Sequence, residues 1–140
     1  MQTDTDPISE LFDKVLSPGG RTLGAKLIAY DADERKVTLS FEALPEFTNI
    51  LGNLHGGYVT AMLDEAAGMA AKLSLPLTKA VPSLCFTVNF LSPTPVGTVF
   101  GEASIIKLGR TTAVLEASLQ SPDGKTCAMM TVTAAVIDIG

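Results

Sequence analysis

The chain has 140 residues, 46% of them hydrophobic and 18% charged, with a formal net charge of −5 and no tryptophan. Those values describe one ordered domain with a full core, neither two domains nor a disordered chain. No basic run occurs, which sets aside the positive stripe that a nucleic-acid-binding surface needs.

The start, Met1 to Asp6, is acidic and lacks an apolar stretch, so no signal peptide is expected and a cytoplasmic location is. Asp6-Pro7 reads as a helix N-cap followed by a first-turn proline. Ile8, Leu11, Phe12 and Val15 then recur at helical spacing. Ser17-Pro18-Gly19-Gly20 should end this helix, making residues 1–20 a helical extension of a single domain spanning 1–140. Strands are expected over residues 22–30 and 36–42, separated by a polar turn. In the second of them Val37, Leu39 and Phe41 alternate with charged or hydroxyl residues, the pattern of a half-buried strand.

Residues 58–75 contain no proline and one glycine, Gly68. The segment is apolar on every side, which predicts a buried helix, and it is too short and too acidic at its centre to span a membrane. Pro76 and Pro82 bracket a loop. Four further strands follow, over residues 84–90, 99–108, 112–120 and 126–138, with Gly101 a candidate bulge. The short loops joining them predict antiparallel neighbours. The fold class expected is α+β, a curved six-stranded antiparallel sheet wrapped around one long central helix. Cys85 and Cys127 lie in apolar strand-like runs and read as core thiols in a reducing compartment. One histidine and two distant cysteines make no metal signature, so neither metal nor cofactor is expected.

The chemistry concentrates at the start of the long helix and in its middle. The first N–H groups of a helix have no partner within it and carry the positive end of the dipole. Gly56 and Gly57 have no side chains to keep a ligand oxygen away from those groups. His55 precedes them, and Asn49 offers an amide six residues upstream. The plainer interpretation is a His-Gly-Gly turn that opens a helix. Asp64 and Glu65, buried in the same helix, are independent evidence for chemistry, since a carboxylate taken out of water has a raised pKa that suits a general base.

Asn49…Leu54-His55-Gly56-Gly57…Asp64, followed by Ser83 and Asn89-Phe90-Leu91-Ser92-Pro93, resembles the hotdog-fold acyl-CoA thioesterases. The likeness is greatest to the branch of phenylacetate-degradation and 4-hydroxybenzoyl-CoA thioesterases, and it covers residues 37–137. It implies an oxyanion donor at Gly56, a substrate-positioning amide at Asn49, a nucleophile or general base at Asp64, and an orienting role for His55. Ser83 matches a hydroxyl found near the carboxylate in part of the family. Other members carry threonine where this chain has Gly68. The implied substrate is an aryl- or medium-chain acyl-CoA, with coenzyme A arriving as part of the substrate. Lys107 and Arg110, backed by Lys72 and Lys79, are candidates for its phosphates. Gly57, Tyr58, Met62 and Phe90 are candidates for the acyl-binding wall, although core packing and ordinary solvated charge are the simpler roles for such residues.

Helix geometry adds a partner. The nine residues from the histidine to Asp64 span about 13.5 Å and turn through roughly 900°. Gly56 and Asp64 are therefore expected to face opposite sides of one helix and to meet at a single carbonyl only across a twofold axis. A homodimer with shared sites is expected, assembling further into a dimer-of-dimers tetramer. A non-catalytic acyl-CoA or acyl-carrier-protein binding module on the same fold is the alternative function. The proline-containing histidine motifs of hotdog dehydratases are absent.

Overall fold

The computed structural model describes residues 6–140; the acidic segment Met1–Thr5 lies outside the described residues. Helix α1 (Pro7–Val15) starts as its sequence dictates, with the Asp6 carboxylate accepting from the Ile8 amide and Pro7 in the first turn. The Ser-Pro-Gly-Gly stretch does more than end it. Ser17 caps a second short helix, α2 (Pro18–Thr22), by accepting from Gly20 N at 3.0 Å. The first strand is correspondingly delayed to β1 (Lys26–Asp31), followed by β2 (Lys36–Ala43). A 3-10 turn (Pro45–Phe47) leads to the long helix α3 (Gly56–Ser74). The remaining elements are β3 (Lys79–Ala80), β4 (Ser83–Phe90), β5 (Gly97–Leu108), β6 (Thr112–Gln120), β7 (Thr126–Ala135) and β8 (Ile137–Asp138).

Six strands form one sheet in the order β1-β2-β5-β6-β7-β4, every pair antiparallel. Two expectations need correcting. The loop between Pro76 and Pro82 contains β3, which pairs with β8, so the last predicted strand is two. The strand carrying Phe90 does not neighbour the one that follows it. The chain crosses over the ends of β7 and β6, leaving β4 at the sheet edge beside β7. That crossover, Leu91 to Val96, is fastened to the approach to α3 by the bond from Leu54 N to Thr94 O, 2.9 Å.

Helix α3 lies on one face of the sheet. Val37, Leu39 and Phe41 of β2, Leu115 and Leu119 of β6 and Val132 of β7 turn inward against Met62, Leu63, Ala66, Met69 and Ala70. Each large apolar side chain so buried contributes roughly 1.5–3 kcal/mol. The helix is not covered on every side, however. Tyr58 and Ala61 are exposed, and Asp64, Glu65 and Gly68 are half-buried, because the sheet reaches only one side of the cylinder. The cysteines divide accordingly. Cys127 is buried, whereas Cys85, expected in the core, is exposed because β4 has no neighbour on its outer side among the described residues.

Gly101 is not a bulge; the irregularity in β5 falls between Ile105 and Lys107. It is a point of close approach. A Cβ at Gly101 would stand 2.8 Å from the Phe41 ring and 3.4 Å from Ala66 Cβ. Gly101→Ala is expected to lower the unfolding free energy by about 1–3 kcal/mol through overpacking, measured by urea denaturation. An unchanged midpoint would show that the fully buried Phe41 ring has room to move.

Candidate active site

His55 is the N-cap of α3, and its Nδ1 accepts from Gly57 N at 3.0 Å. That bond fixes the tautomer of the neutral ring: the proton sits on Nε2, which points a donor outward. Gly57 is thereby spent on the histidine. The Gly56 amide is different, since it has no acceptor among the described residues. Beside it lies the Phe90 ring, whose Cζ would be 3.2 Å from a Gly56 Cβ, so glycine is required here for close approach. Upstream, Asn49 Oδ1 accepts from Leu51 N (3.0 Å) and Asn53 N (3.3 Å), shaping its own loop. The Asn49 amide nitrogen remains as the donor.

The second cluster lies further along α3. Ser83, at the start of β4, donates to Asp64 Oδ1 at 2.8 Å, leaving Oδ2 for a substrate or water. Glu65 turns the other way, towards the N-terminal helices. Its carboxylate lies 3.5 Å from Ser17 Oγ at both oxygens and against the backbone of Gly20. Burial pushes the Glu65 carboxyl above its ordinary value; Lys72 pulls it back, and Asp64 adds to the rise. Lys72 meanwhile donates to the Val15 carbonyl at 3.2 Å, so both side chains fasten α1 and α2 to the helix. Ser17 was not legible as a partner, because nothing in its sequence neighbourhood points 48 residues downstream.

The structure therefore brings the expected residues together in two groups, His55, Gly56, Gly57 and Phe90 in one, Asp64 and Ser83 in the other. It does not join the groups. Gly56 and Asp64 are eight positions apart on one helix, about 12 Å along the axis and about 80° out of phase. The expected opposition of their faces is thus corrected. Axial distance is what separates them.

Other assignments sort by burial. Met62 is fully buried and belongs to the core, so it lines no site in this chain. Tyr58 stacks on Phe47 with ring centroids 4.2 Å apart and planes 11° from parallel, and Phe47 is an aromatic that the sequence reading missed. Lys79 pairs with Asp138. Lys107 and Arg110 are exposed at the β5–β6 turn. Thr112 pairs with Ala135, and Ser83 with Ala134, so that turn shares a sheet end with Ser83. A hollow of about 570 Å³ lies on the opposite face of the sheet, among Lys36, Glu102, Glu116, Ser118 and Met129. Lys36 and Glu102 neutralise each other there at 2.7 Å, and neither Asp64 nor the helix start reaches it.

A six-stranded antiparallel sheet packed on one long helix that opens at a His-Gly-Gly cap has the architecture of the hotdog fold. Comparison with known proteins agrees. The family model for the thioesterase superfamily matches residues 51–128. A phenylacetic acid degradation-related protein of Ralstonia eutropha is 28% identical with a TM-score of 0.83, over 93% of this chain and 99% of that one. A thioesterase family protein of Silicibacter pomeroyi is 30% identical with a TM-score of 0.81, over 94% and 96%. A Zymomonas mobilis protein called an uncharacterised acyl-CoA thioester hydrolase is 35% identical over 75 residues, 53% of this chain and 50% of its own. The chain belongs to the thioesterase superfamily and is a thioester hydrolase.

Because burial raises the Glu65 pKa, the folded state disfavours its charge. The contribution of this group to stability is present below its ordinary value of 4.5 and lost as the pH rises through the folded value. Glu65→Gln is therefore expected to raise the urea midpoint at pH 7, with the gain vanishing below pH 4.5. A variant less stable than wild type at pH 7 would mean that the attraction to Lys72 outweighs burial.

Proposed function

We propose that the protein hydrolyses an aryl- or medium-chain acyl-CoA to the free acid and coenzyme A, at two sites shared across a homodimer. The observation that carries this is the Ser83–Asp64 bond: a hydroxyl donating at 2.8 Å aims a half-buried carboxyl group, with one oxygen free. Asp64 acts on the thioester carbonyl carbon directly or through a water that it deprotonates. In both routes the carbonyl oxygen becomes an oxyanion, and the coenzyme A thiolate leaves with the electron pair of the C–S bond; in the direct route a water then hydrolyses the anhydride left on Asp64, releasing the acid and restoring the carboxylate. The Gly56 N–H and the His55 Nε2–H of the partner subunit receive that oxyanion.

A single carbonyl cannot reach both ends of a 12 Å interval, so the donors come from a second copy. The edge strand supports this. Leu84, Phe86 and Phe90 of β4 are 64%, 42% and 57% exposed, on a strand whose outer side has no neighbour among the described residues. An open apolar edge of this kind is a template for pairing. Antiparallel pairing of β4 with its own copy sets the Ser83 end of one strand beside the Phe90 end of the other. Asp64 then meets the partner subunit's Gly56. Phe90 and the Tyr58–Phe47 stack supply an apolar wall, and Lys107 and Arg110, at the Ser83 end of the sheet, take the coenzyme A phosphates.

The test is hydrolysis of phenylacetyl-, 4-hydroxybenzoyl-, hexanoyl- and palmitoyl-CoA, detecting free thiol, with Asp64→Ala beside wild type. Loss of kcat by about a thousandfold or more in the variant is expected, the scale for removing a group essential to the chemical step. If wild type binds these thioesters and cleaves none faster than Asp64→Ala, the protein is an acyl-thioester binding module.

A further inference from the structure

Gly56 and Gly57 carry no side chains, so packing of their own cannot fix where their N–H groups point, and glycine is the residue freest to turn. The Gly56 N–H lies in one peptide plane with the His55 carbonyl and points opposite to it. That carbonyl accepts from Tyr58 N at 2.9 Å and from Val59 N at 3.1 Å. The direction of the Gly56 N–H is therefore set by His55 on one side and by Tyr58 on the other.

One residue grips both. The Phe47 carbonyl accepts from His55 N at 2.7 Å. The Phe47 ring stacks on Tyr58, the third residue of α3, with centroids 4.2 Å apart and planes 11° from parallel. Phe47 is itself well anchored. Its own N–H donates to Leu44 O at 2.9 Å, closing the 3-10 turn. The chain between Phe47 and His55 is tied at its base by the Thr48–Leu54 bridge and by Asn49 N donating to Asn53 O at 2.8 Å. Tyr58 is 38% exposed and Phe47 only 6%, so a substrate meets the stack at Tyr58 while Phe47 backs it from the core.

We propose that Phe47 is a positioning residue for the oxyanion donor, holding the His55–Gly56 peptide plane in register with α3 through its carbonyl and its ring. This deepens the hydrolase reading and rests on it. The carbonyl bond alone leaves the helix side of the plane free to tilt. The stack removes that freedom, and it depends on a flat ring at position 47.

Phe47→Leu keeps the apolar bulk and the backbone bonds but gives Tyr58 no flat face, whereas Phe47→Tyr keeps the ring. In Phe47→Leu, kcat is expected to fall about tenfold with KM within about twofold, since alignment of the donor matters in the transition state. Removing such a donor outright costs about a hundredfold or more. By NMR, the Gly57 amide, bonded to His55 Nδ1, exchanges about threefold or more faster, the scale of an aromatic pair, while Leu63 and Ala66 in mid-helix are unchanged. Phe47→Tyr recovers most of the lost kcat. A raised KM with kcat unchanged overturns the proposal, because Phe47 would then be a binding wall. So does a lowered Tm with Gly57 exchange and kcat as in wild type, which would leave only core packing. If Phe47→Leu does not fold, Tyr58→Leu removes the more exposed ring and takes the same readings. If wild type cleaves no thioester, the hydrolase reading falls, and Gly57 exchange still decides: faster in the leucine variant keeps Phe47 as the positioner, and equal removes it.

Discussion

A helix rises about 1.5 Å per residue, and that rigidity keeps the Gly56 amide and the Asp64 carboxylate about 12 Å apart. The rest of the molecule is arranged around this interval. The sheet buries the apolar side of α3 and so holds it straight, with the capped start at one end and the carboxylate towards the middle. Strand β4 reaches both places, touching Asp64 through Ser83 and Gly56 through the Phe90 ring. On the proposed account, twofold pairing places one half from each subunit together, and the apolar edge that is costly to expose in a single chain becomes the seam.

The open side of α3 has the same logic. A sheet that curls over one face leaves Tyr58, Ala61, Asp64 and Gly68 towards whatever approaches from outside. Small residues there keep the approach shallow, and the one carboxylate in the row is held by a hydroxyl rather than by a cation. Its neighbour Glu65 is directed away, against Ser17 and Gly20. Adjacent acids on one helix point about 100° apart, so sequence neighbours can have unrelated surroundings. On the proposed account one faces the chemistry, while the other fastens the N-terminal helices.

Much of this was legible in the sequence. An unbroken proline-free apolar run located the long helix to within two residues, and alternation located the central strands closely, because burial on one face of a strand imposes a period of two. The His-Gly-Gly start and Asp64 stood out as glycines and carboxylates in an apolar run. What failed were matters of long-range placement. Short loops implied that β4 and β5 were neighbours, but the Leu91–Val96 crossover carries the chain past two strands. Cys85 looked like a core residue because alternation reports faces and not edges. Met62 was a candidate for the acyl-binding wall with core packing as its simpler role, and the core took it. Gly101 read as a bulge, when the reason for glycine was a phenylalanine 60 positions earlier.

The shared site is the central claim, and complementation tests it most directly. Asp64→Ala and Gly56→Val chains, each inactive alone, are co-expressed with different tags and assayed against an acyl-CoA that wild type cleaves. If each site takes Asp64 from one subunit and Gly56 from the other, every mixed dimer regains one intact site. Random association then restores about a quarter of wild-type activity, since half the dimers are mixed and each carries one working site of two. A mixture no more active than the two parents would contradict the account, because it would place both groups of a site on a single chain.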